Sequence, residues 1–206
     1  MYVGDYWSIN GVNYRIAGCD PYLHCGDNVD LGHQLAIGPD TCLLNGNGKD
    51  THFMNDNDIT TGGYVGSKMY TTTIPSNDIT GKIEAAFGSH LYSHREFLCN
   101  AVTNGIPSGG SWYDSAILLM NEVQVYGSVV NGNLNGDGSG LFNIGIGNSQ
   151  LPLFRLAPQF IHTRQSYWLR DVVSASWFAN VYTNGHATRN PASDSWIGVR
   201  PLFLIH

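Results

Sequence analysis

The alternation of apolar and polar positions is most informative over the last forty residues of the chain. Residues 167–171 consist of three apolar or aromatic residues followed by Arg and Asp, and they predict a buried strand. Residues 198–206, which also contain one arginine among apolar residues, predict a second core strand. Between them, residues 178–189 alternate on either side of Asn184-Gly185. Because an Asn-Gly pair suits the positive φ angles of a two-residue type I′ turn, this stretch predicts a hairpin bracketed by two core strands.

The same signals predict elements along the rest of the chain. Residues 5–17 alternate around Asn10-Gly11 and predict a first hairpin. The remaining predicted elements are a strand at 34–37, helices at 67–73 and 77–87, a strand at 89–104, a turn at 107–110, a strand at 112–120, a helix starting after Asn121 and ending at Gly127, and a strand-like segment at 151–156. Ile79, Ile83 and Phe87 share one face of the second predicted helix, which indicates that it packs against a core.

These elements predict a single α+β domain over residues 1–206. It has short antiparallel strands and hairpins, two or three short helices, and long loops. The loops fall at 38–63 and 131–140, where glycine and polar residues accumulate. We expect the first hairpin and the strands of residues 167–206 to pair in one sheet region.

Composition and charge narrow the class of protein. Hydrophobic residues make up 42% of the 206 positions and charged residues only 13%, so that Asn, Ser, Thr and Gly must supply the surface polarity. This balance is typical of β-rich extracellular or particle-bound proteins. A net charge of −6 argues against a nucleic-acid partner. No apolar run is long enough for membrane insertion, and the first residues lack the pattern of a signal peptide, which predicts synthesis in the cytoplasm.

Two groups of residues contain side chains of types that can bind metal ions. Cys19, Cys25 and Cys42 lie near His24 and His33, but their spacings fit no zinc pattern, and without a signal peptide a disulfide framework that includes Cys99 is not expected either. Residues 55–58 are Asn and Asp, as in calcium loops, but they lack the glycine and distal glutamate of an EF-hand. We therefore expect free thiols, turn chemistry at 55–58, and no metal or other cofactor.

No catalytic signature is present in the sequence. The chain has no GxSxG elbow, no cysteine with a local catalytic pattern, and no phosphate-binding glycine motif. His90 and His94 lie four residues apart without an HExxH pattern, and they are interpreted as structural histidines. The sequence therefore predicts a protein that is not an enzyme.

The motifs Tyr167-Trp168-Leu169-Arg170 and Gly198-Val199-Arg200-Pro201, with a polar and aromatic hairpin between them, resemble a domain of phage and prophage structural proteins of Gram-positive gut bacteria. Residues 63–67, 86–91 and 120–127 resemble the same family. The terminal arrangement is also similar to the C-type lectin-like fold of the formylglycine-generating-enzyme superfamily, which includes phage variable proteins. The superfamily's enzymes use two late cysteines, whereas no cysteine follows Cys99 here. The resemblance therefore implies a C-type lectin-like binding or structural protein of a virion.

The candidate binding residues lie between the two core strands. They combine aromatic and amide or hydroxyl side chains, as antibody binding sites do: Trp177, Phe178, Asn180, Tyr182, Asn184, His186, Thr188, Asn190, Asp194 and Trp196. Core burial of Trp177, Phe178 and Trp196 is the alternative for these aromatic residues. Trp168, Arg170 and Arg200 are assigned to structure, and we expect the two arginines to pair with carboxylates or carbonyls.

Three functions follow as hypotheses. The first is a non-enzymatic virion protein, such as a head fibre, a tail fibre tip or a receptor-binding component, that contacts a host surface glycan or protein. The second is a purely architectural capsid decoration or a tail or baseplate component that contacts only other virion proteins. The third, less favoured because no carboxylate pair is evident, is an enzyme acting on cell-wall glycans. For either virion role we expect a homo-oligomer, a trimer or a pentamer.

Overall fold

The computed structural model describes residues 1–25, 27, 32–44, 52–133 and 149–206. Within these ranges the strands are β1 Tyr6–Ile9, β2 Val12–Cys19, β3 Leu35–Pro39, β4 Leu91–Tyr92, β5 His94–Thr103, β6 Ile106–Ser115, β7 Ile117–Leu119, β8 Tyr167–Val172, β9 Trp177–Val181, β10 Ala187–Pro191 and β11 Pro201–Ile205. The α-helices are α1 Lys82–Phe87, α2 Glu122–Tyr126 and α3 Pro152–Leu156. The strands pair antiparallel and the helices are few and short, so the predicted α+β class is confirmed.

The largest sheet runs in the order β1-β2-β3-β11-β4, and β7 also pairs with β11. The β1–β2 hairpin closes with Ile9 opposite Val12, and Asn10 and Gly11 have φ angles of 51° and 80°. These angles are those of a type I′ turn, so the first predicted hairpin is confirmed. Every residue of β11 is buried, as predicted from its apolar sequence.

A second sheet has the order β10-β9-β8. Two core clusters cover its opposite faces: Trp168 and Phe178 belong to one, and Leu169 and Ala179 belong to the other. Of the strands within 167–206, only β11 therefore lies in the sheet of the first hairpin. The two sheets touch through an isolated parallel bridge between Tyr167, at the start of β8, and Gly198, just before β11. Apart from this bridge, β8 does not join the sheet of β11.

Strands β5 and β6 form a separate ten-residue ribbon, and its turn was predicted at the wrong place. The chain reverses at Asn104-Gly105, whose φ angles are 52° and 79°, whereas residues 107–110 lie inside β6. The Asn-Gly pair meets the type I′ geometry directly, while Pro107 is tolerated because β6 is an edge strand. The predicted strand 112–120 is accordingly divided into the end of β6 and the short strand β7.

The helices agree with the sequence at two of the predicted positions. Ile79, Ile83 and Phe87 are buried on one face, although the first turn, Asn77–Gly81, is π-helical and α1 follows it. Asn121 caps α2 in a capping box with Gln124. The predicted helix at 67–73 is a π-helical turn, Met69–Thr73. None of the described helices has the length and apolar character needed to cross a membrane.

Two further predictions need correction. Residues 151–156 form helix α3 and not a strand, because Pro152 occupies the first helical position, where its fixed φ is favourable. The predicted surface loop 38–63 has buried ends, since Leu43, Met54 and Thr60 are all in the interior. Residues 45–51 of that loop and 134–140 of the second predicted loop lie outside the described residues.

Candidate functional site

The three residues assigned to structure are all buried. Trp168 is fully buried, and its indole N–H donates to the carbonyl of His52 at 2.8 Å. Arg170 pairs with the carboxylate of Glu96 and also donates to the carbonyl of Leu119 at 3.2 Å. These contacts fix β8 against the β5–β6 ribbon and against β7.

Glu96 is the centre of a buried polar network. Its carboxylate accepts hydrogen bonds from Tyr22 and from His94 Nε2, the latter at 3.1 Å, and Gln124 donates to the Tyr22 hydroxyl at 3.1 Å. Burial alone would raise the pKa of Glu96, but the Arg170 guanidinium and these hydrogen bonds hold it at about 2. The carboxylate therefore stays charged and serves as a structural anchor for β8.

Arg200, the residue before β11, anchors that strand through hydrogen bonds to backbone carbonyls. Its side chain donates to the carbonyls of Pro39, Phe160 and Ile161 at 2.8, 2.9 and 3.2 Å, and it lies over the Tyr167 ring at 5.2 Å. The arginine thus joins β3, the segment after α3, and the start of β8. A buried guanidinium that has several acceptors meets its hydrogen-bonding requirement without a carboxylate.

The structure divides the ten predicted binding residues into a buried set and an exposed set. Phe178 and Asn180 are fully buried, so their assignment to a ligand surface is wrong. Residues 178–181 are all buried because β9 is the central strand of its sheet and has a core cluster on each face. Strict alternation assumes one solvent face, and a central strand covered on both faces does not have one.

Three of the predicted amide and acid side chains hold the backbone after β10. Asn180 donates to Asn190 Oδ1 at 2.9 Å, and Asn190 donates to Asp194 Oδ2 at 2.8 Å. The other oxygen of Asp194 accepts the backbone N–H of Trp196 at 2.9 Å. Thr188 lies half-buried opposite Asn180. The bonds of Asn180, Asn190 and Asp194 are internal to the chain, so these three side chains have a structural role.

The exposed set is concentrated at the hairpin tip. Tyr182 is 47% exposed, and Asn184 and His186 are exposed beside it. The Tyr182 and His186 rings stack with centroids 4.8 Å apart and planes at 32°, and His186 Nδ1 lies 2.6 Å from Asn184 Oδ1. The three side chains therefore form one exposed arrangement of two stacked rings and an amide.

The turn that carries them differs from the predicted type. Of Asn184 and Gly185, only Gly185 has a positive φ, 94°. The Gly185 N–H donates to the Tyr182 carbonyl at 2.8 Å, and the Tyr182 N–H donates to the His186 carbonyl at 2.9 Å. This pattern is a three-residue loop with a glycine bulge, so the predicted two-residue type I′ turn is wrong at this hairpin.

Contacts from outside the hairpin hold the tip in place. The Tyr126 hydroxyl at the end of α2 donates to the Gly185 carbonyl at 3.0 Å. A Cβ at Gly185 would lie 3.3 Å from the Cβ of His162, so the loop packs closely against the segment after α3. The backbone that presents the exposed side chains is consequently held by one hydrogen bond from α2 and by close packing against His162.

Two other exposed aromatic residues lie away from the tip. Trp177 is 37% exposed and has the Arg189 guanidinium 5.8 Å from its ring centroid. Arg189 also donates to Asn131 Oδ1 at 3.4 Å. Trp196 is 66% exposed, and its carbonyl accepts a hydrogen bond from Gln165 at 3.0 Å. Arg189 was not among the predicted binding residues, although its position in β10, two residues from Ala187 and Pro191, places it on the face of Trp177.

A carboxylate pair that was not predicted from the sequence joins β8 to the start of α2. Glu122 is buried, and its carboxylate accepts the backbone N–H groups of Val130, Asn131 and Gly132 at 2.8–3.0 Å. Asp171 Oδ2 accepts the Glu122 N–H at 2.7 Å. Burial and the nearby Glu122 carboxylate raise the pKa of Asp171 to about 7. The adjacent cavity of about 30 Å³ has room for a water, and the pair anchors residues 130–132 through the bonds that Glu122 accepts.

The candidate metal ligands and thiols do not come together in one site within the described part of the chain. Among the described residues, no three His, Cys, Asp or Glu side chains are close enough to hold a metal ion. All four cysteines are free, and burial raises the pKa values of Cys42 and Cys99 to about 11. Asn55 accepts the N–H of Lys68 at 2.9 Å and Asp58 accepts the N–H of Ser193 at 3.0 Å, which is the turn chemistry predicted for 55–58.

The function is inferred from the geometry of the chain, because comparisons with known proteins found no match. No protein-family model, curated protein or solved structure matches this chain.

Proposed function

We propose that the chain is a non-enzymatic virion protein that presents the hairpin tip as a binding surface for the host cell. The observation that carries this proposal is the exposed Tyr182–His186 stack, with Asn184 beside it, on a sheet whose central strand is completely buried from Phe178 to Val181. Rigid aromatic side chains give contact area at a low cost in conformational entropy, and an adjacent amide can satisfy varied hydrogen-bonding groups. The buried Arg170 and Arg200 anchors keep such a surface fixed.

The C-type lectin-like fold belongs to the same proposal. It is supported by the meeting of the two terminal motifs: the Trp168 N–H donates to the Gly198 carbonyl at 3.1 Å, and the Gly198 N–H donates to the Ser166 carbonyl at 2.8 Å. The hairpin with the exposed tip lies in sequence between these bonded segments. In this proposal the chain is made in the cytoplasm of a Gram-positive gut bacterium and is assembled into a phage head fibre, tail fibre tip or receptor-binding component.

An architectural role is the second candidate, and a specific surface favours it. Near the N-terminus, Met1, Tyr2 and Tyr6 are 77%, 80% and 54% exposed. Exposed apolar side chains grouped in this way are common at protein interfaces. They suit a contact with another virion protein or with a second copy in a trimer or pentamer. This surface is compatible with the receptor-binding proposal, since an assembled binding protein needs an attachment face as well.

The experiment that separates the two roles uses the purified chain with two targets. One target is a panel of Gram-positive gut bacteria, and the other is virions assembled without this protein. Saturable binding to cells of a restricted set of strains supports the receptor-binding role. Addition to the deficient virions, with no binding to any strain of a panel that includes the natural host, contradicts it and leaves the architectural role.

A further inference from the structure

Acidic and basic residues are unevenly divided along the chain. Residues 138–206 contain five arginines and two acidic residues, for a charge of +3, whereas residues 1–137 contain five Lys or Arg and fourteen Asp or Glu, for a charge of −9. The net charge of −6 hides this division. The third of the chain that carries the hairpin is therefore basic within an acidic protein.

Burial and pairing determine which charged side chains of residues 138–206 remain exposed. Arg170 and Arg200 are buried and occupied, which leaves Arg155, Arg164 and Arg189 exposed. Both acidic residues of this third are already engaged. Asp171 accepts a backbone N–H of α2, and the carboxylate of Asp194 accepts bonds from Asn190 and from the backbone of Trp196. The exposed ionisable groups of this third are therefore mainly cationic.

Two basic side chains lie on the segment that supports the hairpin tip. His162 packs against Gly185, and Arg164 follows two residues later in a turn fixed by Thr163, whose hydroxyl bonds to both the carbonyl and the N–H of Gln165 at 2.6 and 3.3 Å. Arg164 has a φ of 61° and its side chain is exposed. We define the tip patch as His162, Arg164, Tyr182, Asn184 and His186.

Among the described residues, the segments that carry the patch, 151–170 and 172–193, contribute no carboxylate, and the nearest acid beyond them, Asp194, is bonded to Asn190 and to the backbone of Trp196. The sequence has no Asp or Glu from 151 to 170 or from 172 to 193. Helix α2, which contacts the tip through Tyr126, contributes only Glu122, and that side chain is buried and bonded to the backbone of residues 130–132. Along these described segments, an anion that approached the tip would therefore meet hydrogen-bond donors and the Arg164 guanidinium, and no exposed carboxylate.

We propose that the tip patch binds an anionic oligosaccharide through its carboxylate or phosphate groups. This inference rests on the proposed function and specifies its ligand. The Arg164 guanidinium offers the planar donor geometry that matches carboxylate and phosphate oxygens. The stacked Tyr182 and His186 rings offer an apolar face for a sugar ring. Three exposed arginines are too few for the six to ten phosphate contacts of typical DNA-binding proteins, which favours a glycan over a nucleic acid.

Titration calorimetry with matched probes tests the ligand class. The probes are an oligogalacturonate, the same oligomer as its neutral methyl ester, an oligomer of glycerol phosphate, and a single-stranded oligonucleotide. We expect binding of the uronate or of the glycerol phosphate, and the stronger of the two identifies the anionic group. We also expect the affinity to fall as salt is raised, because the contact is exposed and screened. Equal binding of the methyl ester, or stronger binding of the oligonucleotide, overturns the proposal.

A pair of charge-matched variants tests the location. Arg164→Gln removes a patch cation and should weaken binding of the preferred anionic probe by about tenfold, the loss expected for one charge-assisted hydrogen bond. Arg155→Gln removes an equally exposed arginine on α3, outside the patch, and should leave the affinity within about twofold. Equal losses in the two variants would mean that net charge, and not the patch, attracts the ligand.

The outcome also separates this inference from the proposed function. If the chain binds host cells through the tip but none of the anionic probes, the anionic ligand is wrong and the receptor-binding role stands. If the chain does not bind cells at all, the proposed function itself fails.

Discussion

Arg170 and Glu96 form an ion pair in the interior, and the side chains are each only 6% exposed. The pair joins β8 of the three-stranded sheet to β5 of the ribbon, two elements that share no sheet. Tyr22, His94 and Gln124 complete the network around it. The strand next to the one that leads to the hairpin tip is thereby fixed by charge as well as by packing.

Removing the negative charge should destabilise the protein strongly. In a Glu96→Gln variant the Arg170 guanidinium stays buried without its counter-charge, and we expect the free energy of unfolding to fall by about 3–5 kcal/mol. Urea unfolding followed by circular dichroism measures the change. Asp114→Asn is the control, because Asp114 is 70% exposed and 3.5 Å from Arg95, and its loss should cost less than about 1 kcal/mol. Similar costs for both variants would show that the buried network is not a stabilising anchor.

Stability should depend on pH through Asp171. Its pKa in the folded protein, about 7, lies above the ordinary value of 3.8, so the favourable protonated state is complete below about pH 3.8 and is lost as pH rises through 7. Asp171→Asn keeps an oxygen for the Glu122 N–H but cannot ionise. We expect the variant to gain at least about 1 kcal/mol of unfolding free energy relative to wild type between pH 4 and pH 8. A constant difference across this range, measured by urea unfolding, would contradict the shifted pKa.

Gly63 should tolerate no side chain. Its φ is +60°, and a Cβ there would lie 2.5 Å from the backbone oxygen of Cys99. Gly63→Ala should therefore cost about 3 kcal/mol or more, the sum of left-handed strain and a steric clash. Gly11→Ala has a similar positive φ, +80°, but open space around it, and should cost only the strain of about 1–2 kcal/mol. Thermal unfolding of the two variants side by side checks the difference, and equal losses would show that the contact at Cys99 is not restrictive.

The four thiols should differ in reactivity. Cys19 is exposed, whereas Cys42 and Cys99 are buried with pKa values of about 11. Because the thiolate is the reactive form, iodoacetamide at pH 8 should modify Cys19 in the folded protein, and Cys42 and Cys99 only after denaturation. Peptide mass spectrometry identifies the modified residues. Rapid modification of Cys42 or Cys99 without denaturant would contradict their burial.

Local patterns predicted the elements better than the turns. Asn10-Gly11 forms the expected type I′ turn, and nothing lies within 4 Å of a Cβ built at Gly11. The same dipeptide at 184–185 forms a three-residue loop, where Tyr126 and His162 contact Gly185 from distant parts of the chain. Such contacts cannot be inferred from the neighbouring residues. The predicted β9–β10 hairpin nevertheless forms, so the pairing of these two strands is encoded by the local sequence.

The candidate site was predicted in part for a similar reason. Tyr182, Asn184 and His186 are exposed in the structure, but Phe178 and Asn180 are buried, because alternation does not reveal that β9 is covered on both faces. Arg164 and Arg189 were missed because a single exposed arginine gives no pattern. The uneven charge of the two parts of the chain was a signal in the sequence that could have indicated them.

The proposed receptor-binding role requires that the chain contact the host cell through the exposed tip. The most direct measurement is the affinity of the labelled chain for cells of a strain that binds the wild type. A variant with Tyr182, Asn184 and His186 changed to alanine is compared with a control that carries Ile59→Ala and Thr72→Ala, two exposed residues outside both the tip and the N-terminal surface. We predict at least a tenfold loss for the tip variant and no loss for the control, with identical circular dichroism and thermal unfolding in all three proteins. Unchanged binding of the tip variant, or an equal loss in the control, would contradict the claim.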